Sequence, residues 1–139
     1  MKLDLWATVS FHRELNLMVW QPRGILDEEQ VDRLIEMVEE AEKEADTPFD
    51  RYTDLSKLET VDLNFEYVFR VSLYRCTVYA DRPPVKSAFY VTDRRTAEIA
   101  FTHAVVTTNS PLIVQVFFDQ GAAADWLDVS VADLELTRW

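Results

Sequence analysis

Apolar and polar positions alternate along the first twenty residues, a pattern typical of strands that bury one face. The alternating apolar residues are Leu3, Leu5, Ala7, Val9, Phe11, Leu15, Leu17 and Val19. The polar run His12-Arg13-Glu14 interrupts the alternation, and Gln21-Pro22-Arg23-Gly24 ends it. We therefore predict two strands joined as a hairpin.

Residues 27–46 change to steps of three and four between apolar positions, which predicts a helix with one buried stripe. The stripe consists of Val31, Leu34, Ile35, Val38, Ala41 and Ala45. Asp27 is placed to cap the first turn, and Gln30 follows three residues later, as in a capping box. The segment holds ten acidic and two basic residues, and so carries −8 of the net charge of −11. We expect its acidic faces to be solvated.

Three later apolar runs follow turn-forming residues and predict strands at residues 49–55, 85–91 and 112–118. Between the last two, a helical spacing predicts a helix capped by Thr92 or Asp93. Its apolar positions are Ala97, Ala100, Phe101, Ala104 and Val105. Residues 122–127 predict a short helix. The sequence does not decide the secondary structure of residues 129–139, where Ser130 and Asp133 are a weak signature of a helix cap.

Residues 62–80 fit two patterns. The odd positions from Val61 to Leu73 are apolar, as in a strand. Neighbouring parallel strands need a crossover, however, and Asp62 can cap a helix, so we predict a helix over residues 62–80. Such a helix is apolar around much of its girth, through Phe65, Tyr67, Val68, Phe69, Val71, Tyr74, Val78 and Tyr79. We expect part of this surface to contact a ligand or a partner.

These elements predict one α/β domain over residues 1–139, an open sheet of about five strands with helices packed on it. The sheet is expected to be mostly parallel, with the N-terminal hairpin as its exception. The chain has 139 residues, of which 48% are hydrophobic, enough for one packed core.

The net charge and the cysteine content limit the classes of binding partner and the cellular compartment that we expect. The net charge of −11 opposes binding to nucleic acid and strong binding to anionic membranes. Cys76 is the single cysteine and cannot form an internal disulfide, and no secretory leader pattern opens the chain. We expect a cytoplasmic protein.

The sequence offers few candidates for catalysis. His12 and His103 are the two histidines, and neither lies beside a recognisable nucleophile pattern. Cys76 is expected to be a small buried side chain, although Arg70 and Arg75 flank it. Neither a metal-ligand spacing nor a phosphate-binding glycine loop is present, so we expect no metal, no cofactor and no enzymatic activity. Arg94 and Arg95 could help to hold an anion at the start of their helix, although surface solubility explains them as well.

Two stretches resemble a known family. Residues 23–27, Arg-Gly-Ile-Leu-Asp, and residues 52–62, Tyr-Thr-Asp-Leu-Ser-Lys-Leu-Glu-Thr-Val-Asp, resemble the STAS fold of the anti-sigma-factor antagonists. In that family an Asp followed by Ser-Ser-Gly opens the next helix and carries a regulatory phosphorylation. Here Asp62 is followed by Leu63, Asn64 and Phe65. The resemblance therefore implies the fold but lacks the phosphoacceptor serine, and Ser56 matches only the structural turn.

The C-terminal part is similar to the SpoIIAA-like branch of uncharacterised bacterial proteins. Its matching motif is Val-Phe-Phe-Asp at residues 116–119, followed by Ala-Ala-Ala-Asp-Trp-Leu at residues 122–127. Members of that branch resemble lipid-carrier domains of the CRAL-TRIO type, and the resemblance implies binding of apolar ligands or association with membranes.

Two functions remain open. The first is a binding module for an apolar, lipid-like molecule in a cleft beside the aromatic helix, with Phe65, Val68, Phe69 and Tyr74 as its surface. The second is a regulatory module that binds a protein partner through the loop of residues 56–64, including Ser56, Asp62 and Asn64. A half-exposed aromatic helix would also favour a homodimer, because identical patches pair most commonly.

Overall fold

The structure is a computed structural model that describes residues 8–136. Its main sheet contains five strands in the order β1-β2-β4-β6-β7. These are β1 (Val9–His12), β2 (Leu17–Trp20), β4 (Asp50–Asp54), β6 (Val85–Tyr90) and β7 (Leu112–Phe117). The predicted strands are confirmed, except that residues 3–7 of the first one lie outside the described residues.

The strands pair as predicted, mostly in parallel with an antiparallel N-terminal hairpin. β1 and β2 form an antiparallel hairpin in which His12 pairs with Leu17. β2, β4, β6 and β7 are parallel to their neighbours. Parallel neighbours require a crossover, which is commonly a helix.

Four helices follow the chain order that the sequence predicts. They are α1 (Glu28–Ala45), α2 (Phe65–Tyr79), α3 (Arg94–Val106) and α4 (Gln120–Leu127). Asp27 caps α1 by accepting a hydrogen bond from the Gln30 backbone at 3.0 Å, and Asp93 caps α3 in the same way. Residues Val131–Leu134 form a 3-10 turn in which Ser130 and Asp133 make the capping box.

A second, two-stranded sheet was not predicted. It pairs β3 (Gly24–Asp27) in parallel with β5 (Leu58–Asp62), where we had expected a loop over residues 56–64. Gly24 enters β3 with a φ of +73°, a left-handed conformation that favours glycine. The two strands are distant in sequence, and a local alternating pattern does not indicate such a pairing.

The prediction of Asp62 as the helix cap is wrong, because β5 extends to that residue. Asn64 occupies the N-cap of α2 instead, and its side chain accepts a hydrogen bond from the Tyr67 backbone at 2.8 Å. The N-cap therefore lies two residues later than predicted.

Alternate residues of each strand pack into separate layers on the two faces of the sheet. Met18 and Trp20 of β2 belong to the core beneath α1, α2 and α3. Leu17 and Val19 of the same strand pack with α4 and the C-terminal 3-10 turn. Within residues 8–136 no helix is long and apolar enough to cross a membrane.

Candidate functional site

An apolar cavity of about 120 Å³ lies between the main sheet and the three helices of one face. Leu34 of α1, Val68 of α2 and Ala100 of α3 are among its walls. Ile35 and Val71 are partly exposed and also line it, so the cavity extends toward the junction of α1 and α2. The interior of this face is thus not filled completely by its own side chains.

A buried cluster of polar side chains adjoins the cavity. Arg51 of β4 places its Nη2 atom 2.9 Å from the Glu42 carboxylate and 2.8 Å from the Tyr79 hydroxyl. The Tyr79 hydroxyl donates to Glu42, and the Phe49 backbone N–H donates to the same carboxylate at 2.8 Å. Arg75 donates to the Tyr79 hydroxyl at 3.4 Å. We call Glu42, Arg51, Arg75 and Tyr79 the arginine cluster.

Three guanidinium groups surround Tyr79, and the carboxylate of Glu42 forms ion pairs with two of them. The guanidinium groups of Arg51, Arg75 and Arg82 all lie within 5.2 Å of the Tyr79 ring centre. Glu42 forms ion pairs with Arg51 and, at 3.8 Å, with Arg82. Burial and the neighbouring charge of Arg51 lower the pKa of Arg75 to about 10, so Arg75 stays protonated at neutral pH.

Three buried N–H donors lack an acceptor, and all three belong to residues that line the cavity. They are Trp20 Nε1, Arg51 Nη1 and Arg75 Nη1, and residues 8–136 contain no other buried side-chain nitrogen or oxygen without a partner. Buried donors are normally paired, because leaving one unpaired costs its desolvation energy. Residues of the apolar cavity wall therefore carry buried donors that have no acceptor within the described part of the chain.

His103 also lines the cavity and forms a hydrogen bond with Ser72 of α2 at 2.7 Å. The Ser72 hydroxyl also lies 2.7 Å from the Val68 carbonyl, to which it donates, and the direction of its bond with His103 depends on the tautomer of the imidazole. Burial, and then the charges of Arg75 and Arg51, lower the pKa of His103 to about 3. The imidazole is neutral at pH 7 and packs edge-on against Phe89.

Tyrosines of α2 bind carboxylates of α1 along the junction of the two helices. The Tyr67 hydroxyl lies 2.5 Å from Asp32, and the Tyr74 hydroxyl lies 2.8 Å from Glu39. Tyr79 and Glu42 complete the series. The acidic surface of α1 was expected to be wholly solvated. That expectation is wrong for Glu42, which is 2% exposed.

The four residues predicted as a binding surface do not lie together. Val68 is buried and lines the cavity. Phe65 and Phe69 are 55% and 50% exposed and lie on the outer side of α2. Tyr74 is 48% exposed and lies at the junction with α1, beside Glu39. Of the other aromatic residues expected on this helix surface, Tyr67 and Tyr79 are buried, and Tyr67 lines the cavity.

Two of the three residues matched to the regulatory loop hold local structure together. The Ser56 hydroxyl donates to Asp54 at 2.6 Å in the turn after β4, and Asn64 caps α2. Asp62 is exposed at the end of β5.

Other candidates have local partners. Cys76 is partly buried, and its thiol lies 3.7 Å from the Val106 carbonyl. Arg94 pairs with Glu98 at 3.1 Å, and Arg95 donates to the Val61 carbonyl at 3.3 Å. Within residues 8–136 no three ligating side chains converge to hold a metal ion.

The architecture matches a solved structure of low sequence identity. It is the crystal structure of an uncharacterised protein of the DUF3478 family with a SpoIIAA-like fold, from Shewanella loihica PV-4. The match covers 86% of this chain and 91% of the other, with a TM-score of 0.54 and 16% identity. The chain has a SpoIIAA-like fold. No protein-family model and no curated protein matches its sequence.

In this SpoIIAA-like domain, sequence reasoning missed the arginine cluster. Glu42 follows Leu34 and Val38 at four-residue steps, so it falls in the buried stripe of α1. Arg75 falls seven residues after Val68, on the buried side of α2. The helical repeat places both residues at buried positions and could have indicated their burial. Because both are charged, burial was not predicted for either.

Proposed function

We propose that this SpoIIAA-like chain is a non-catalytic binding domain that takes a small apolar ligand in the cavity beneath α2. The observation that supports this proposal is the cavity itself, with its apolar walls and its extension toward the junction of α1 and α2. Ligand sites are typically concave and mostly apolar, with a few polar groups.

The size of the cavity limits the ligand. An apolar interior cavity of about 150 Å³ is known to accept benzene, so a cavity of about 120 Å³ suits a ligand with one small ring or a short branched chain. Burying about 150 Å² of such a group contributes about 4 kcal/mol before the costs of association. Because the costs of association reduce this gain, a neutral ligand should bind with a dissociation constant of about 1 mM or weaker.

The geometry of Ser72 and His103 supports a non-catalytic role. A nucleophile must reach its substrate, but Ser72 is fully buried and its hydroxyl donates to the Val68 carbonyl. With its pKa lowered to about 3, His103 is also a weak base. We further propose a cytoplasmic location, supported by the single cysteine, Cys76.

A thermal-shift titration with benzyl alcohol tests the proposal. We expect a saturable rise in melting temperature for the wild type, because the ligand binds the native state only. Ala100→Leu fills the cavity from α3 and should abolish the rise. Ala104→Leu, one turn away on the same helix and outside the cavity wall, should retain it. An equal rise in all three proteins, or none in the wild type, would contradict the proposal.

The outer row of α2 favours a second candidate function, binding of a protein partner. Phe65, Phe69 and Leu73 are spaced four residues apart and are 55%, 50% and 48% exposed, so they form an apolar row on one side of the helix. Such exposed rows often mark interaction sites. A second copy of this chain is the partner to test first, since the commonest oligomers pair identical patches.

Light scattering over a range of concentrations tests self-association. If α2 forms the contact, the wild type dimerises and Phe69→Glu is monomeric. Ala122→Glu, at an exposed position of α4 on the opposite face of the sheet, should dimerise like the wild type. A monomeric wild type at every concentration would rule out the homodimer.

A further inference from the structure

We propose that the ligand of the cavity is a small carboxylate with an apolar body, and that Arg51 and Arg75 bind its carboxylate group. This inference rests on the proposed function, because it specifies the chemistry of the molecule that the cavity takes.

The unpartnered polar atoms of the cavity residues are all donors. Trp20, Arg51 and Arg75 each retain an N–H group without an acceptor. Arg51 and Arg75 are 4% and 6% exposed, so bulk water does not satisfy them. A ligand that complements this site must bring acceptors rather than donors.

The charge around the two arginines points to an anion. Arg51 and Arg75 are both buried, and Glu42 is the buried carboxylate of their cluster. Buried charges are normally compensated, because an uncompensated charge in an apolar interior is costly. Glu42 contacts Arg51 and Arg82. Arg75 is influenced by the charges of Glu42 and Glu39, but its contact in the cluster is with the neutral hydroxyl of Tyr79. An anion in the cavity would give Arg75 a direct ion pair.

The geometry favours a carboxylate among anions. Arg51 and Arg75 approach the same Tyr79 oxygen, so their guanidinium groups lie close together. A carboxylate has two oxygens that accept from guanidinium groups in a planar arrangement. The remaining walls are apolar and the volume is about 120 Å³, which leaves room for a ring or a short chain behind the carboxylate.

Three probes that share one ring test the headgroup. Benzoate, benzyl alcohol and benzylamine carry an anionic, a neutral and a cationic group at pH 7. We expect benzoate to bind the wild-type chain about tenfold more tightly than benzyl alcohol, and benzylamine to bind most weakly. Titration calorimetry measures all three dissociation constants.

A pair of matched variants tests the arginines. Arg75→Met should weaken benzoate binding about tenfold and leave benzyl alcohol binding within about threefold. Arg82→Met removes the same charge from beside Tyr79, but Arg82 does not line the cavity. It should leave both affinities within about threefold. If Arg75→Met does not fold, the comparison of the three probes on the wild type still decides the inference.

The outcomes separate this inference from the proposed function. Equal binding of benzoate and benzyl alcohol, or equal losses in Arg75→Met and Arg82→Met, would overturn the carboxylate assignment while the apolar site stands. Binding of none of the three probes would overturn both.

Discussion

Arg51 and Arg75 donate to the same oxygen atom, the hydroxyl of Tyr79, at 2.8 and 3.4 Å. Two like charges at this separation repel each other, and burial strengthens the repulsion because water does not screen it. Glu42 accepts hydrogen bonds from both Tyr79 and Arg51 and supplies the compensating charge. The arginine cluster is therefore a point where one substitution should alter stability strongly.

Glu42→Gln should lower the free energy of unfolding by about 3–5 kcal/mol, because it leaves the buried arginines without their anion. Urea denaturation at pH 7 measures the change. Glu40 is exposed on the same helix, so Glu40→Gln should change stability by about 0.5 kcal/mol or less. Similar small effects of both substitutions would show that the cluster does not depend on Glu42.

The N-cap of α2 can be tested by a matched pair of substitutions. Asn64→Ala removes the side chain that accepts from the Tyr67 backbone and should cost about 1 kcal/mol. Asp62→Ala removes an exposed side chain outside the helix and should cost less than about 0.5 kcal/mol. A larger cost for Asp62→Ala, measured by chemical denaturation, would mean that the helix starts where the sequence pattern placed it.

Stability should fall in alkaline solution through Tyr67. Burial, and then the hydrogen bond to Asp32, raise the pKa of this tyrosine above its usual value of about 10. Above about pH 10 the unfolded chain loses the Tyr67 proton while the native state keeps it, so the free energy of unfolding decreases as pH rises. Denaturation midpoints from pH 7 upward should decline less steeply in Tyr67→Phe than in the wild type. Identical slopes would argue against the raised pKa.

His103 should make the protein sensitive to acid. Its pKa is lowered to about 3 by burial and by the charges of Arg75 and Arg51, whereas a histidine of the unfolded chain titrates near about 6.5. As pH falls below about 6.5 the unfolded chain takes up a proton that the native state does not, so stability falls by up to about 1.4 kcal/mol per pH unit. Between about pH 7 and pH 5, His103→Gln should lose less stability than the wild type. Parallel loss in both proteins would contradict the lowered pKa.

Most of the fold could be predicted because, in the long elements, the spacing of apolar residues and the length of the segment indicate the same secondary structure. Residues 27–46 have a clear helical stripe, and the strands of the main sheet follow turn-forming residues. The helix α2 was ambiguous because most of the alternating apolar positions lie inside it, where exposed residues such as Phe65, Phe69 and Leu73 are apolar as well as the buried ones. β3 has four residues, and its pairing with β5 depends on contacts distant in sequence.

Less of the candidate site could be predicted. Val68 was identified from the apolar character of α2, and it lines the cavity. Phe65 and Phe69 have the same character but point outward, which spacing alone does not distinguish on a helix that is apolar on several sides. Arg51 and Arg75 come together only when β4 and α2 pack on the same core, so the cluster is a property of the tertiary structure.

A methyl NMR titration with benzyl alcohol tests the central claim, ligand binding in the cavity, most directly. We predict saturable shifts of the Leu34, Val68 and Ile99 methyl groups, which belong to residues of the cavity wall. The Leu127 methyl groups, on the opposite face of the sheet, should not shift. Shifts confined to Leu73 on the outer row of α2, with none at the cavity residues, would contradict the account.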